Sequence, residues 1–161
     1  MRLLLLAPVA LAAAPMNGGY VLVSSQAELA AEKERAIERT LAEMNFALRP
    51  LAARELEGVV NWCQSYEMTR DATQFTVSCD GKPPVVAPLD GSEATFTNRD
   101  GERFPLGVQV RGDAIWLKFS GEQGHQEVLY TGTADGLVVE KSIHSPFMEE
   151  PLRWTMRYVR K

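Results

Sequence analysis

The sequence has few of the residues that most catalytic and metal-binding motifs need. Its 161 residues include only two cysteines and two histidines, His125 and His144. It contains no H-E-x-x-H pair, no G-x-S-x-G nucleophile elbow, no P-loop and no G-x-G-x-x-G turn. We therefore assign no catalytic residue, no cofactor and no metal site from the sequence, and we do not expect an enzyme.

A basic surplus and a long apolar run are also missing. Lys and Arg number 17 against 21 Asp and Glu, which gives a formal net charge of −4. Nucleic-acid-binding proteins usually carry the opposite balance, so no nucleic-acid partner is predicted. No stable membrane anchor is predicted either, because the N-terminal apolar run is shorter than the roughly 20 residues that span a bilayer.

The N-terminus has the layout of a secretory signal peptide. Arg2 precedes an apolar run that ends in small side chains, and Ala10-Leu11-Ala12 forms an A-x-A cleavage triplet. Cleavage after Ala14 is the alternative, but it would leave Pro15 as the first residue. We predict a signal peptide over residues 1–12, a flexible mature N-terminus over 13–23, and one domain over 24–161. The expected location is extracytoplasmic, either periplasmic or secreted.

Export changes the interpretation of the two cysteines, Cys63 and Cys79. In an oxidising compartment such a pair usually forms a structural disulfide. A hairpin centred on Asp71 would place Cys63 opposite Cys79 and Tyr66 opposite Thr76, so the register and the bond would support each other. Two free thiols for redox work or metal binding are the alternative, but no C-x-x-C spacing supports them.

A long helical pattern covers residues 24–49. Ser25 and Glu28 form a capping box, and Leu29, Ile37 and Leu41 lie on one apolar stripe. Pro50 should end or kink this helix, and we expect a short second helix over 51–56 before Gly58.

From residue 59 onward the apolar pattern has a period of two, which is typical of strands. Short turns at Gly112-Asp113, Gly121–Gly124 and Asp135-Gly136 separate the strongest segments. We predict an α+β fold in which an N-terminal amphipathic helix precedes an antiparallel β-meander of about eight strands. The meander should be closed or partly closed as a small barrel, with an open, curved sheet around the helix as the alternative.

Alternation divides the strand residues into an apolar set and a polar set. The polar set contains four cations, Arg111, Lys118, Arg153 and Arg157. If these cations line a cavity they would bind a small amphipathic or apolar anion, because an arginine can grip a carboxylate with two hydrogen bonds. The alternative is that all four lie in solvent and that Leu152, Trp154, Met156 and Tyr158 fill the interior.

The helix followed by hairpin-linked strands resembles the calycins, the lipocalin-like small barrels. Lipocalins carry a G-x-W motif on the first strand and an arginine on the last strand that packs across the tryptophan. Here Trp62 takes the tryptophan position, Val60 replaces the glycine, and Arg153 and Arg157 lie on the last strand. The resemblance implies an antiparallel barrel and a small-molecule ligand. The Arg49-Pro50 step and the Pro151–Trp154 ending are also similar to exported bacterial proteins, which implies export and no particular function.

The predicted function is a soluble exported binding module for a small amphipathic or apolar anionic ligand. The alternative is an exported protein-interaction module, such as an inhibitor or accessory subunit, with a filled core. A lined cavity of several hundred cubic ångströms would favour the first of these.

Overall fold

The computed structural model describes residues 16–161, so the predicted signal peptide lies outside the described residues. Two helices and ten antiparallel strands form an α+β fold. The helices are α1 (Gln26–Ala42) and α2 (Arg49–Val59), joined by a 3-10 turn at Phe46–Leu48. The strands are β1 (Gly18–Leu22), β2 (Ser65–Arg70), β3 (Gln74–Cys79), β4 (Val85–Pro88), β5 (Ala94–Thr97), β6 (Arg103–Arg111), β7 (Ala114–Gly121), β8 (Gly124–Gly132), β9 (Gly136–His144) and β10 (Leu152–Arg160).

The strands form one nearly closed barrel. Their order is β4-β3-β2-β1-β10-β9-β8-β7-β6-β5, so strands adjacent in the chain are mostly adjacent in the sheet. β4 and β5, at the two ends of this order, lie next to each other without pairing. The barrel interpretation is therefore confirmed over the open sheet, and the barrel has ten strands rather than about eight.

The N-terminal segment differs from the prediction. Residues 13–23 were expected to be flexible, but Gly18–Leu22 form β1, which pairs with both β2 and β10. Tyr20 lies opposite Tyr66 and Arg160 and is fully buried. The Asn17-Gly18-Gly19 step begins this strand, and the strand joins the first and last thirds of the barrel wall.

The helical region is shorter and more divided than predicted. The capping box is confirmed, since Ser25 Oγ accepts from the Glu28 N–H at 3.2 Å and Glu28 Oε2 accepts from the Ser25 N–H at 2.7 Å. The helix ends at Ala42 rather than at residue 49. Pro50 lies in the first turn of α2, where its missing N–H would have had no helical partner. Pro50 therefore starts the second helix.

The predicted disulfide is present, but the predicted hairpin register is wrong. Cys63 and Cys79 are bonded, with Cα atoms 5.5 Å apart. In the ladder, however, Cys79 lies opposite Tyr66, and Cys63 precedes β2. Asp71 explains the difference: its Oδ1 accepts from the N–H groups of Thr73 and Gln74, which makes a tight turn centred between residues 72 and 73.

Inward-facing strand residues and one stripe of α1 make the core. On β10 the buried residues Leu152, Trp154, Met156 and Tyr158 alternate with exposed ones. Helix α1 lies against β10 and α2, and it buries Leu29, Ala36, Ile37 and Thr40. None of the helices within residues 16–161 is long and apolar enough to cross a membrane.

Candidate functional site

The barrel contains a largely apolar cavity of about 570 Å³ that is partly open to solvent. Its wall comes from the inner faces of β2, β3 and β5–β9, and from the connection between α2 and β2. Cavities of this size are typical of sites for small molecules. The apolar and aromatic lining residues are Trp62, Tyr66, Val77, Phe96, Phe104, Phe119, Val128, Tyr130 and Ile143.

Aromatic rings form two groups along this wall. Phe96 of β5 packs edge-on against Phe119 of β7, with ring centroids 5.2 Å apart, and it also stacks near Phe104 of β6. The ring of Tyr66 on β2 packs edge-on against the rings of Tyr130 on β8 and Tyr158 on β10, with centroid distances of 5.7 Å and 5.0 Å. These rings give the cavity a surface suited to the apolar part of a ligand.

The hydroxyl group of Tyr158 has a backbone partner, and the other two tyrosines of this group are neutral. The Tyr158 hydroxyl donates to the Cys63 carbonyl oxygen at 2.9 Å, next to the disulfide. Burial, together with the neighbouring tyrosines, raises the pKa of Tyr66 and of Tyr130 well above the ordinary value. These phenols are therefore neutral at physiological pH, and they bring no negative charge into the cavity.

Two lysines line the cavity: Lys82, which is exposed, and Lys141 on β9, which lies on the inner face of the barrel. Lys141 is only 7% exposed. The ammonium nitrogen donates to Asn61 Oδ1 at 3.0 Å and lies 6.0 Å from the centre of the Trp154 ring. The Trp154 indole N–H donates to the Asn61 carbonyl oxygen at 3.0 Å, so Asn61 is held against both side chains.

The charge of Lys141 has no anionic partner among residues 16–161, since none of their carboxylates forms an ion pair with it. Burial, reinforced by the charge of Lys82, lowers the pKa of Lys141 to about 8, while Asp80 acts weakly in the opposite direction. A lysine with this pKa is still mostly protonated at pH 7. The cavity therefore holds a buried positive charge whose protein partners are two neutral oxygens of Asn61.

The four cations singled out from the sequence do not line this cavity. Arg153 and Arg157 are exposed and alternate with the buried residues of β10, so they lie on the outer face, and Lys118 and Arg111 also face outward. Arg111 and Arg153 share an outer groove with Trp116, whose ring lies 4.7 Å from the Arg111 guanidinium carbon. The expected position of these cations in the cavity is wrong, and ligand binding by them stays a prediction.

The lipocalin-type tryptophan motif does not have the expected geometry. Trp62 precedes β2 and lines the cavity. The interior tryptophan that lies next to a cation is Trp154. Its cation is Lys141, which comes from β9 rather than from the last strand.

At one end of the cavity a small polar cluster joins β8 and β9. The stacked rings of His125 and His144 lie 4.3 Å apart, and Glu127 is close to both. Partial burial lowers the pKa of His144, and the charges of His125, Arg153 and Lys118 add to this effect while Glu127 opposes it. Partial burial would raise the pKa of Glu127, but the Trp116 indole and the two histidines together hold it below the ordinary value.

Solved structures share this fold. The fatty acid transporter REP1-NXSQ matches with a TM-score of 0.53 and 15% identity over 90% of this chain and 95% of that chain. A mutant of that transporter matches with a TM-score of 0.54 and 14% identity, over 90% and 97% of the two chains. Human cRBP IV matches with a TM-score of 0.53 and 16% identity, over 92% of this chain and 99% of that chain. Neither a protein-family model nor a curated protein matches the sequence.

These matches confirm the resemblance to calycin-type small barrels at the level of the fold. Their sequence identities are too low to carry site residues from one chain to the other. The site described above therefore stands on this chain's own geometry.

Sequence reasoning missed Lys141, although a signal for it was present. Leu137 and Val139 are inward residues of β9, and Lys141 is the next residue with the same parity. A charged residue that continues an apolar inner face is unusual, because burial of an unpaired charge is costly. The opposite, polar face carries more cations and so gives the stronger sequence signal of positive charge.

Proposed function

We propose that this protein is an exported binding protein for a small amphipathic anion. The apolar part of the ligand fills the barrel cavity, and its anionic head group contacts Lys141. The observation that carries this proposal is the buried ammonium group, which faces an apolar cavity without a carboxylate partner.

The physical argument concerns the cost of the isolated charge. A buried charge is disfavoured unless it is paired and hydrogen-bonded, and pairing with a carboxylate removes much of that cost. Asn61 offers only neutral oxygens, so a ligand carboxylate would add the missing negative charge. The aromatic and aliphatic lining would then cover the tail of a fatty-acid-like molecule. That a structural neighbour is a fatty acid transporter supports this ligand class.

Export rests on two observations that support each other. The signal-peptide pattern lies at residues 1–12, and the disulfide between Cys63 and Cys79 is of the kind that persists in oxidising compartments. N-terminal sequencing of the protein from its native source should find a chain that begins at Ala13. A chain that still begins at Met1 would contradict export with cleavage.

Titration of a fluorescent fatty acid tests the binding function. We expect saturable binding to the wild-type protein at pH 7, and binding at least tenfold weaker to Lys141→Met, since a hydrogen bond to a charged group contributes about 1.5–3 kcal/mol. The matched control is Lys161→Met, which removes an exposed lysine that does not line the cavity and should leave the affinity unchanged.

Two outcomes would refute the proposal. If the wild-type protein shows no saturable binding, the cavity has no such ligand, and the alternative of an exported protein-interaction module gains support. If Lys141→Met binds as tightly as the wild type, Lys141 does not hold the head group. Arg157→Ala tests the ligand-binding role that the sequence predicts for that arginine, in the same assay.

A further inference from the structure

A second group of side chains, apart from the lysine site, brings metal-ligating atoms together. His125 Nε2 lies 3.2 Å from Glu127 Oε1, and His144 Nε2 lies 3.6 Å from Glu127 Oε2. One ligand atom from each of the three residues lies within 4.8 Å of the other two. Two imidazole nitrogens and one carboxylate thus surround one small volume.

The register of the sheet brings these three residues together. His125 of β8 lies directly opposite His144 of β9, and Glu127 follows two residues later on the same face. The imidazole rings are stacked with an angle of 11° between their planes. All three residues are partly buried and lie on paired strands rather than on loops, so their relative positions are defined by the barrel wall.

We infer that His125, Glu127 and His144 form a binding site for a divalent transition metal, with Zn²⁺ as the ion of choice. Zinc is commonly held by imidazole nitrogens and a carboxylate oxygen, at about 2.0–2.2 Å, and three protein ligands leave its fourth position for water or another ligand. Magnesium and calcium favour sets composed of oxygen ligands, so this donor set discriminates against them.

The neighbouring charges limit the affinity of this site. Lys118 lies directly opposite Glu127 in the β7–β8 ladder, and Arg153 lies opposite Ser142 in the β9–β10 ladder. Both cations occupy the face that carries the cluster, so they oppose the approach of a dication. We therefore expect micromolar rather than nanomolar binding, with tighter binding after Lys118→Met.

The position of the site gives it a structural consequence. The hairpin between β8 and β9 closes at Gly132–Gly136, whereas His125 and His144 pair at the far end of that ladder. A metal ion would tie the two strands together at this far end, on the outer face of the barrel, although both histidines also border the cavity. The inference does not depend on the proposed function, because no ligand in the cavity is needed for the metal to bind.

Calorimetric titration with zinc chloride tests the site. The protein is prepared without a histidine tag and stripped with a chelator. We expect one Zn²⁺ per chain, no measurable Mg²⁺ binding, and a higher thermal unfolding midpoint in the presence of Zn²⁺. His125→Gln and His144→Gln should each weaken Zn²⁺ binding at least tenfold. The control is Glu140→Gln, which removes an exposed carboxylate from the same face of β9 and should leave the affinity unchanged.

Two results would overturn the inference. One is the absence of Zn²⁺ binding above the Mg²⁺ background in the wild-type protein. The other is equal Zn²⁺ affinity in the wild type and in both histidine variants, when near-ultraviolet circular dichroism shows that the variants are folded. Fatty-acid titration of the same variants separates this site from the cavity, since loss of Zn²⁺ binding with retained fatty-acid binding leaves the proposed function intact.

Discussion

Replacing Lys141 with methionine should make the ligand-free protein more stable. Methionine has a similar length and no charge, and Lys141 is only 7% exposed. The substitution loses the hydrogen bonds to Asn61 Oδ1 and to the Asn61 carbonyl oxygen. The carbonyl keeps the Trp154 indole N–H, and Asn61 is exposed, so water can replace the ammonium group at Oδ1. The gain is the removal of a charge that the folded state holds at a cost.

The pKa of Lys141 gives the size of this cost. Burial lowers it from the ordinary value of 10.5 to about 8. At about 1.4 kcal/mol per pH unit, this corresponds to roughly 3 kcal/mol of destabilisation when the lysine is charged in both states. The unfolded chain binds more protons than the folded one between about pH 8 and 10.5, so wild-type stability rises over that interval. The advantage of Lys141→Met should therefore be about 3 kcal/mol at pH 7 and about 1 kcal/mol at pH 9.5.

Urea unfolding of both proteins at the two pH values measures this difference. Comparing the variants at each pH removes the contribution of every other titrating group. Lys118→Met, on the outer face, serves as the control and should change the free energy of unfolding by about 0.5 kcal/mol or less. A variant that is less stable than the wild type at pH 7, or a difference that is the same at both pH values, would refute this reasoning.

Two other predictions follow from the barrel wall. The double substitution Cys63→Ser and Cys79→Ser should lower the free energy of unfolding by about 3 kcal/mol in a urea titration, because the disulfide closes a loop of moderate length. An unchanged urea unfolding midpoint would contradict this prediction. Phe119→Ala should weaken binding of a fluorescent fatty acid at least tenfold, since burial of a large apolar side chain contributes about 1.5–3 kcal/mol. The control is Phe147→Ala, which should leave the affinity unchanged, because Phe147 is 71% exposed and lies outside the cavity. Equal losses in the two variants would show that the ring of Phe119 does not contact the ligand.

The strands that could be predicted from the sequence are those with strong alternation and short glycine turns. The predicted turns at Gly112-Asp113, Gly121–Gly124 and Asp135-Gly136 do separate β6, β7, β8 and β9 in the structure. β1 was missed because five residues that begin with two glycines carry little pattern. Its strand conformation comes from pairing on both sides, which only the closed barrel supplies.

The candidate site was less predictable than the fold. Alternation correctly separated Arg153 and Arg157 from the buried face of β10, but it cannot tell which face points into a cavity. The register of β2 and β3 depended on the Asp71 turn, where one carboxylate selects the turn position. The partners of Lys141 come from the connection after α2 and from β10, and the His125–His144 pair comes from two strands. No local motif contains such contacts.

The central claim is that the ammonium group of Lys141 receives the anionic head group of the ligand. Calorimetric titration of a fatty acid at pH 9 and at pH 6.5, in buffers of different ionisation enthalpy, measures the protons taken up on binding. With a pKa of about 8 the free lysine is mostly neutral at pH 9, and a bound carboxylate would restore its proton. We predict uptake approaching one proton per ligand at pH 9, little uptake at pH 6.5, and none at either pH for Lys141→Met. Saturable binding to the wild-type protein without proton uptake at pH 9 would contradict the claim.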